Sequence, residues 1–409
     1  MMKNSKLLAM VMAITMIGGL TGCGNSGKAP TGDSGEKTVQ TEAKAETKSE
    51  TKSEDSGKQK GESNTGKKNL ADMRVCAIFP GPRGDSGTVD MACAAVEKLA
   101  EEYGLSYDIV EGDGSGDASK LQASLIEVSE QDYDFILSTG MYSDYFVSTA
   151  PDYPDTIYML FDTVLDFSTY KGDNLYCANF LQNEASYLVG ALAMSMSKTG
   201  TVGFVGGMEA ANISDFMWGY IEGAKYVNPT GTIAISFTND WYDSAKAKEL
   251  ALSEINMGAD VVFPAAGPSS EGVMEAAPQG HAYSIGVDID REAQYKDNNP
   301  EWAAVILSSQ LKCVDNAVYR AITMYADGTL KTGQEALGIA AGGVGIVKTG
   351  NYQTLVPEEV RKTIEDIESK IASGEIVVGT ALTATQDEIA EMKTWAVSKE
   401  PKNNGGGTS

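Results

Sequence analysis

The side chains best placed to do chemistry in this sequence stand in short polar stretches that follow apolar runs. Asp240-Trp241-Tyr242-Asp243 sets two aromatics between two carboxylates. An aromatic at the rim of a cleft offers a flat apolar face to a ring or to one side of a sugar. Equally, Trp241 could be core, and Asp243 could simply cap the helix that follows. Asp288 and Asp290 end another apolar run. A carboxylate there can accept two hydroxyl hydrogen bonds from a polyol, although a solvated loop acid or a cap is the simpler use. Pro80-Gly81-Pro82-Arg83-Gly84-Asp85-Ser86-Gly87 opens a helix, where backbone amides can approach an anion or a hydrogen-bond acceptor. Its glycines could serve only a tight turn. The stretch lacks the Gly-Lys-Ser/Thr ending of a phosphate loop and the spacing of a dinucleotide fingerprint.

What is missing constrains function as much. There is no nucleophile elbow and no acid/base pair singled out by spacing. His281 is the sole histidine, so no histidine cluster can form, and no metal or other cofactor is expected. Cys76, Cys93, Cys177 and Cys313 are scattered without C-x-x-C spacing and read as buried free thiols. The missing catalytic constellation argues against an enzyme. A formal net charge of -25 argues against nucleic acid or an anionic membrane surface as partner.

The N-terminus carries chemistry of another kind. Lys3 and Lys6 precede an apolar run over residues 7–20, the length of a signal-peptide core and too short to span a bilayer. The run ends in Leu20-Thr21-Gly22-Cys23, the pattern of a bacterial lipobox. Residues 1–22 are expected to be removed and Cys23 to be lipidated. The acyl chains would then hold the protein on the outer face of the cell membrane. Residues 23–70 are almost devoid of apolar side chains and repeat Thr-Lys-Ser-Glu at 47–50 and 51–54. Such a segment cannot offset its ordering entropy and reads as a disordered tether, with an r.m.s. reach of roughly 40 Å. A short tail, 399–409, reads the same way.

The elements that must position the cleft residues alternate. Short Val/Ile/Phe-rich runs at 75–79, 107–110, 135–139 and 157–161 are separated by helical patterns at 89–103 and 118–130. The alternation restarts after Asn179-Phe180. Helices at 184–198, 214–227 and 243–257 alternate with runs at 202–205, 233–237, 261–264 and 284–287. A run at 304–307, a helix at 310–326, a Gly-rich apolar stretch at 336–347 and a helix at 357–373 follow. This is the pattern of two doubly wound parallel sheets. The fold class expected is α/β, with two lobes joined by three crossings and a ligand cleft between them. Lobe 1 would hold 71–180 and 305–332, and lobe 2 would hold 181–304 and 333–398. Ligands of open α/β sheets bind at the carboxyl ends of the strands. Those ends point to the loops 80–88, 140–145, 239–243, 265–272 and 288–292.

Several stretches, in order, carry a resemblance. They are NFLQNEASYLVGALAMSMSK from Asn179, TGTVGFVGGME from Thr199, NDWYDSAKAKE from Asn239, GADVVFPAAG from Gly258, GVDID from Gly286, LKCVDNAVYRAI from Leu311 and GGVGIV from Gly342. From about Arg74 to Val378 the chain resembles the basic membrane protein family of lipoproteins, the purine nucleoside receptor A-like substrate-binding proteins of ABC transporters. The resemblance implies a type I periplasmic-binding fold and a monomeric receptor that delivers a nucleoside to a transporter permease. It also implies ligand-binding roles. Trp241 would stack on a base, Asp288 would hold ribose hydroxyls and Lys312 would point into the cleft. Ala266 and Gly267 would lay backbone against the ligand, and Asp144 falls near a cleft acid. In the first loop the family has a run of Asp and then Ser, Phe and Asn. Here PGPRGDSGTVDMACAA offers Asp85, and Met91 falls near the Phe position, where a thioether can pack on a ring face. Arg83 adds a cation that would suit a more anionic or smaller ligand. A sugar or signalling molecule in the same receptor fold is the alternative; an enzyme or a sugar-responsive repressor fits less well.

Overall fold

The computed structural model describes residues 67–84, 87–113 and 118–400. The lipidation site Cys23, most of the expected tether, Asp85 and the tail from 401 lie outside the described residues. The tether ends earlier than expected. Lys68 donates its backbone N–H to the Ala326 carbonyl at 2.8 Å, and Asn69 caps a short helix over Leu70–Asp72.

Five strands follow one another in the first sheet: β1 (Arg74–Phe79), β2 (Ser106–Glu111), β3 (Phe135–Thr139), β4 (Ile157–Phe161) and β5 (Leu175–Phe180). Five more build the second: β6 (Thr201–Gly206), β7 (Thr232–Phe237), β8 (Val261–Ala265), β9 (Tyr283–Asp288) and β10 (Ile306–Lys312). The chain then returns to the first sheet with β11 (Gly333–Leu337) and to the second with β12 (Val344–Ile346). The strand orders are β11-β5-β4-β3-β1-β2 and β12-β10-β9-β8-β6-β7. Every pairing is parallel except β12 against β10. Each sheet is covered on both faces by its own pair of apolar clusters, which is why the inner strands read as nearly unbroken apolar runs. The molecule has the type I fold of periplasmic solute-binding proteins.

The lobe boundaries differ from those read in the sequence. Strand β10 belongs to the second sheet and runs to Lys312, whereas 305–332 was assigned to lobe 1. Strand β11 belongs to the first sheet, whereas 333 onward was assigned to lobe 2. The crossings therefore follow Phe180, Lys312 and Leu337, and the last two do not fall at the expected boundaries 304/305 and 332/333. The cause is local. Leu311 continues the apolar run of a strand but also begins the helical periodicity of Val314–Ala326, so the helix was started too early.

Under the second sheet two helices touch through their backbones. A Cβ on Gly219 would lie 2.0 Å from the Asn183 carbonyl oxygen, and one on Gly223 1.9 Å from that of Tyr187. Only glycine allows the helices Gln182–Met196 and Ala211–Val227 to approach so closely. Their approach buries Asp215, which accepts from Gln182 Nε2 at 2.9 Å, Thr380 Oγ1 at 2.6 Å and the Ala381 N–H at 2.9 Å. A late segment is thus strapped across the start of both helices, next to the first crossing.

Candidate functional site

The carboxyl ends of β8, β9 and β10, the loop after β7 and the start of the helix Ala211–Val227 converge on a cavity of about 120 Å³. Trp241, Ala266, Gly267, Asp288 and Lys312 all line it, together with Phe216. Five residues spread from position 241 to position 312 thus meet at one place, because parallel strands deliver all their loops to the same edge. A larger cavity of about 610 Å³ is lined from the first lobe by Pro80, Gly81, Tyr142, Phe161 and Asp162, and from the second by Tyr242. The two cavities are joined by an ion pair. Lys312 Nζ lies 3.0 Å from both carboxylate oxygens of Asp162. A further cavity, of about 450 Å³, lies at the amino ends of the first-lobe strands beside the Lys68–Asp134 ion pair, away from this cleft.

Trp241 has a built seat. A Cβ on Gly207 would come within 2.6 Å of its ring, and one on Gly267 within 3.3 Å. Gly267 also holds φ at 55°, in the left-handed region where a side chain is strained. The Trp241 carbonyl accepts from the Ser269 N–H at 3.0 Å, which ties the loop after β7 to the loop after β8. Asp288 closes β9 with φ at 68°, an unusual backbone for a residue with a Cβ. Asp288 lines the cavity, and its carboxylate acts on the Lys312 ammonium there.

Lys312 is almost fully buried and lies between the rings of Phe180 and Phe216, 5.9 and 5.7 Å from their centroids. Burial alone would pull its pKa down. The carboxylates of Asp162 and Asp288, with Asp215 farther away, outweigh that effect and raise it. The ammonium is therefore held charged and already neutralised. Lys312, Asp162 and Asp288 together leave the described floor of the cleft with one positive and two negative groups, a poor match for an anionic ligand.

Other candidates from the sequence lie elsewhere. Met91 packs on the core of the first lobe, because its helix turns that face inward, and it lines neither cavity. Asp144 is exposed in the first turn of the helix Ser143–Thr149 and lines neither cavity. Arg83 pairs with Glu97 at 2.7 Å, so it is not a free cation for a ligand. Asp243 and Asp290 cap helices, accepting from the N–H groups of Lys246 and Ala293. Cys76, Cys93 and Cys177 are buried free thiols, and burial pushes the Cys76 and Cys177 thiols up to about 12. Asp162 and Phe216 stand outside the loops marked by the sequence, and Tyr142 is covered only as part of the loop 140–145. Asp162 follows a correctly located strand, and that position alone could have marked it for attention.

Residues 73–381 match the profile of a family described as "ABC transporter substrate-binding protein PnrA-like". Basic membrane protein A of Borreliella burgdorferi is 29% identical over 332 residues, covering 77% of this chain and 91% of its own length. The CD4+ T-cell-stimulating antigen of Listeria innocua is 30% identical over 338 residues, 78% of this chain and 92% of its own. Among solved structures, an ABC transporter solute-binding protein from Aeropyrum pernix superposes with a TM-score of 0.64 at 25% identity, covering 81% of this chain and all of its own.

Proposed function

The chain belongs to the PnrA-like family of ABC transporter substrate-binding proteins, and we propose that it binds a neutral nucleoside between its lobes and presents it to a membrane permease. The observation that carries this reading is the convergence of Trp241, Asp288 and Lys312 on one cavity. An indole seated against glycines suits a flat base. A carboxylate facing the same space suits paired hydroxyls. A lysine already neutralised by carboxylates disfavours a phosphate. Lipidation at Cys23 would keep the receptor beside its permease on the outer face of the membrane, and closure about the three crossings would signal occupancy by population shift. Every residue named for the proposed site comes from one chain, which supports the reading of a monomeric receptor.

The test is calorimetric titration with a nucleoside, its free base and its dideoxy analogue. Trp241→Ala should weaken binding of every ring-bearing ligand by roughly 2–4 kcal/mol. Asp288→Ala should cost roughly 1.5–3 kcal/mol for the nucleoside and much less for the other two. A sugar receptor would instead show both losses following the hydroxyls. Two folded variants that bind every ligand like the parent would overturn the reading.

A further inference from the structure

Tyr142 stands where the first lobe meets the cleft. It lines the larger cavity beside Thr139, Gly140 and Met141, and Tyr242 reaches the same cavity from the second lobe. Its backbone is left-handed, with φ at 62° and ψ at 32°, at the cap position of the helix Ser143–Thr149. Its side chain makes no capping hydrogen bond there. For a bulky residue this conformation is an outlier, and strain of that kind gathers at ligand clamps and active sites. The turn is forced from one side. A Cβ on Gly140 would lie 2.2 Å from the Thr163 side chain, so the loop is pressed onto the residue that follows Asp162. The ring is braced from another, since Tyr145 stacks on it with centroids 6.3 Å apart and planes at 30°. A strained backbone therefore holds a braced, half-buried aromatic at the wall of the cleft. Across the Lys312–Asp162 bridge lies the cavity that contains Trp241.

The geometry points to Tyr142 as the first-lobe wall of the ligand site, closing on one face of a flat ring whose other face rests on Trp241. This specificity role rests on the nucleoside reading above but is separable from it, since any flat ring would meet the same two walls. A tyrosine here selects a planar ligand by stacking, a contact that tolerates exchange of one ring system for another. Tyr242, exposed over 81% of its surface at the same cavity, is a nearby aromatic that a closing lobe would cover.

The test uses the full chain and four probes: guanosine, guanine, ribose and indole. Tyr142→Leu should weaken guanosine and guanine binding roughly tenfold or more, while Tyr142→Phe stays within about twofold of the parent. Tyr142→Asn serves if the leucine variant fails to fold, because asparagine accepts the left-handed backbone. It should match leucine in affinity loss while keeping a cooperative thermal transition. Guanosine binding that is unchanged in the folded leucine or asparagine variant overturns the wall assignment and leaves the nucleoside reading standing. Guanine or indole binding without guanosine binding, lost on removing Tyr142, overturns the nucleoside reading and supports the wall. A parent that binds only ribose, or none of the four, overturns both.

Discussion

Trp241 owes its place to what is absent around it. Gly207 and Gly267 leave a flat recess that any larger residue would fill. Gly207→Ala should therefore act on binding more than on folding. Its methyl would meet the indole on one side and the Ala266 Cα at 3.2 Å on the other, and backbone gives way less readily than a side chain. The ring would tilt out of its seat. Affinity for guanosine should fall about tenfold, while stability changes by no more than about 1–3 kcal/mol, the usual cost of overpacking. Calorimetry and thermal melting on the same sample check both parts. An unchanged affinity would mean that the seat does not define the stacking surface. Trp241 and Asp288 are legible in the sequence because one follows and the other ends an apolar strand, at the edge of the sheet that faces the cleft. Met91 was picked by its offset from a motif, and an offset says nothing of which helix face turns inward. Tyr142 lies in a loop that the strand pattern marks, but nothing in the sequence singles it out within that loop, since its own signal is a backbone angle.

At the scale of elements, the strap across the helices Gln182–Met196 and Ala211–Val227 fixes the end of the first crossing. Burial raises the Asp215 pKa even though Thr380, Ala381, Gln182 and Asn183 all donate to it. A carboxyl whose folded pKa is raised prefers its proton in the folded state. Its contribution to stability is present below the ordinary aspartate value of 3.8 and is lost as pH rises through the folded value. The difference in unfolding free energy between parent and Asp215→Asn should accordingly move against the parent as pH rises through that window. It should then level off above the folded value. Denaturant melts from pH 3 to 8 provide the comparison, and a flat difference would show that Asp215 does not titrate with folding. The strap itself was illegible. Residues 374–385 hold no periodic apolar pattern, and the helix Gln386–Val397 was not foreseen, although Thr385 and Glu388 form a capping box. The inner strands were legible because burial on both faces makes them apolar throughout. The start of the helix after Lys312 was not, because strand and helix share the residues at the junction.

For the whole molecule, the two lobes and the cleft follow from the alternation of strands and helices, and the family likeness covers the same span. The remaining question is where the receptor is held. Among the described residues no helix is long and apolar enough to cross a membrane; the attachment proposed above is the lipid on Cys23. Cys23→Ala should be released from membranes in cell fractionation while still binding guanosine as the parent does. Retention of the variant in the membrane fraction would rule out the lipid as the anchor.

The path of the chain has a consequence for how the molecule is made. The outermost strand of the first sheet, β11, comes from residues 333–337, more than 150 positions after its neighbour β5. Likewise β12 joins β10 only after the chain has visited the other lobe. The first sheet is complete only when residue 337 is available and the second only at residue 346, so a growing chain carries unfinished sheets with open edges through most of its synthesis. Pairings so distant in sequence close slowly, because the loop entropy is lost before the contacts form. A chaperone that holds the nascent chain unfolded would protect both edges at once. Cutting the gene after Phe180 would leave the first fragment without β11, which only the second fragment contains.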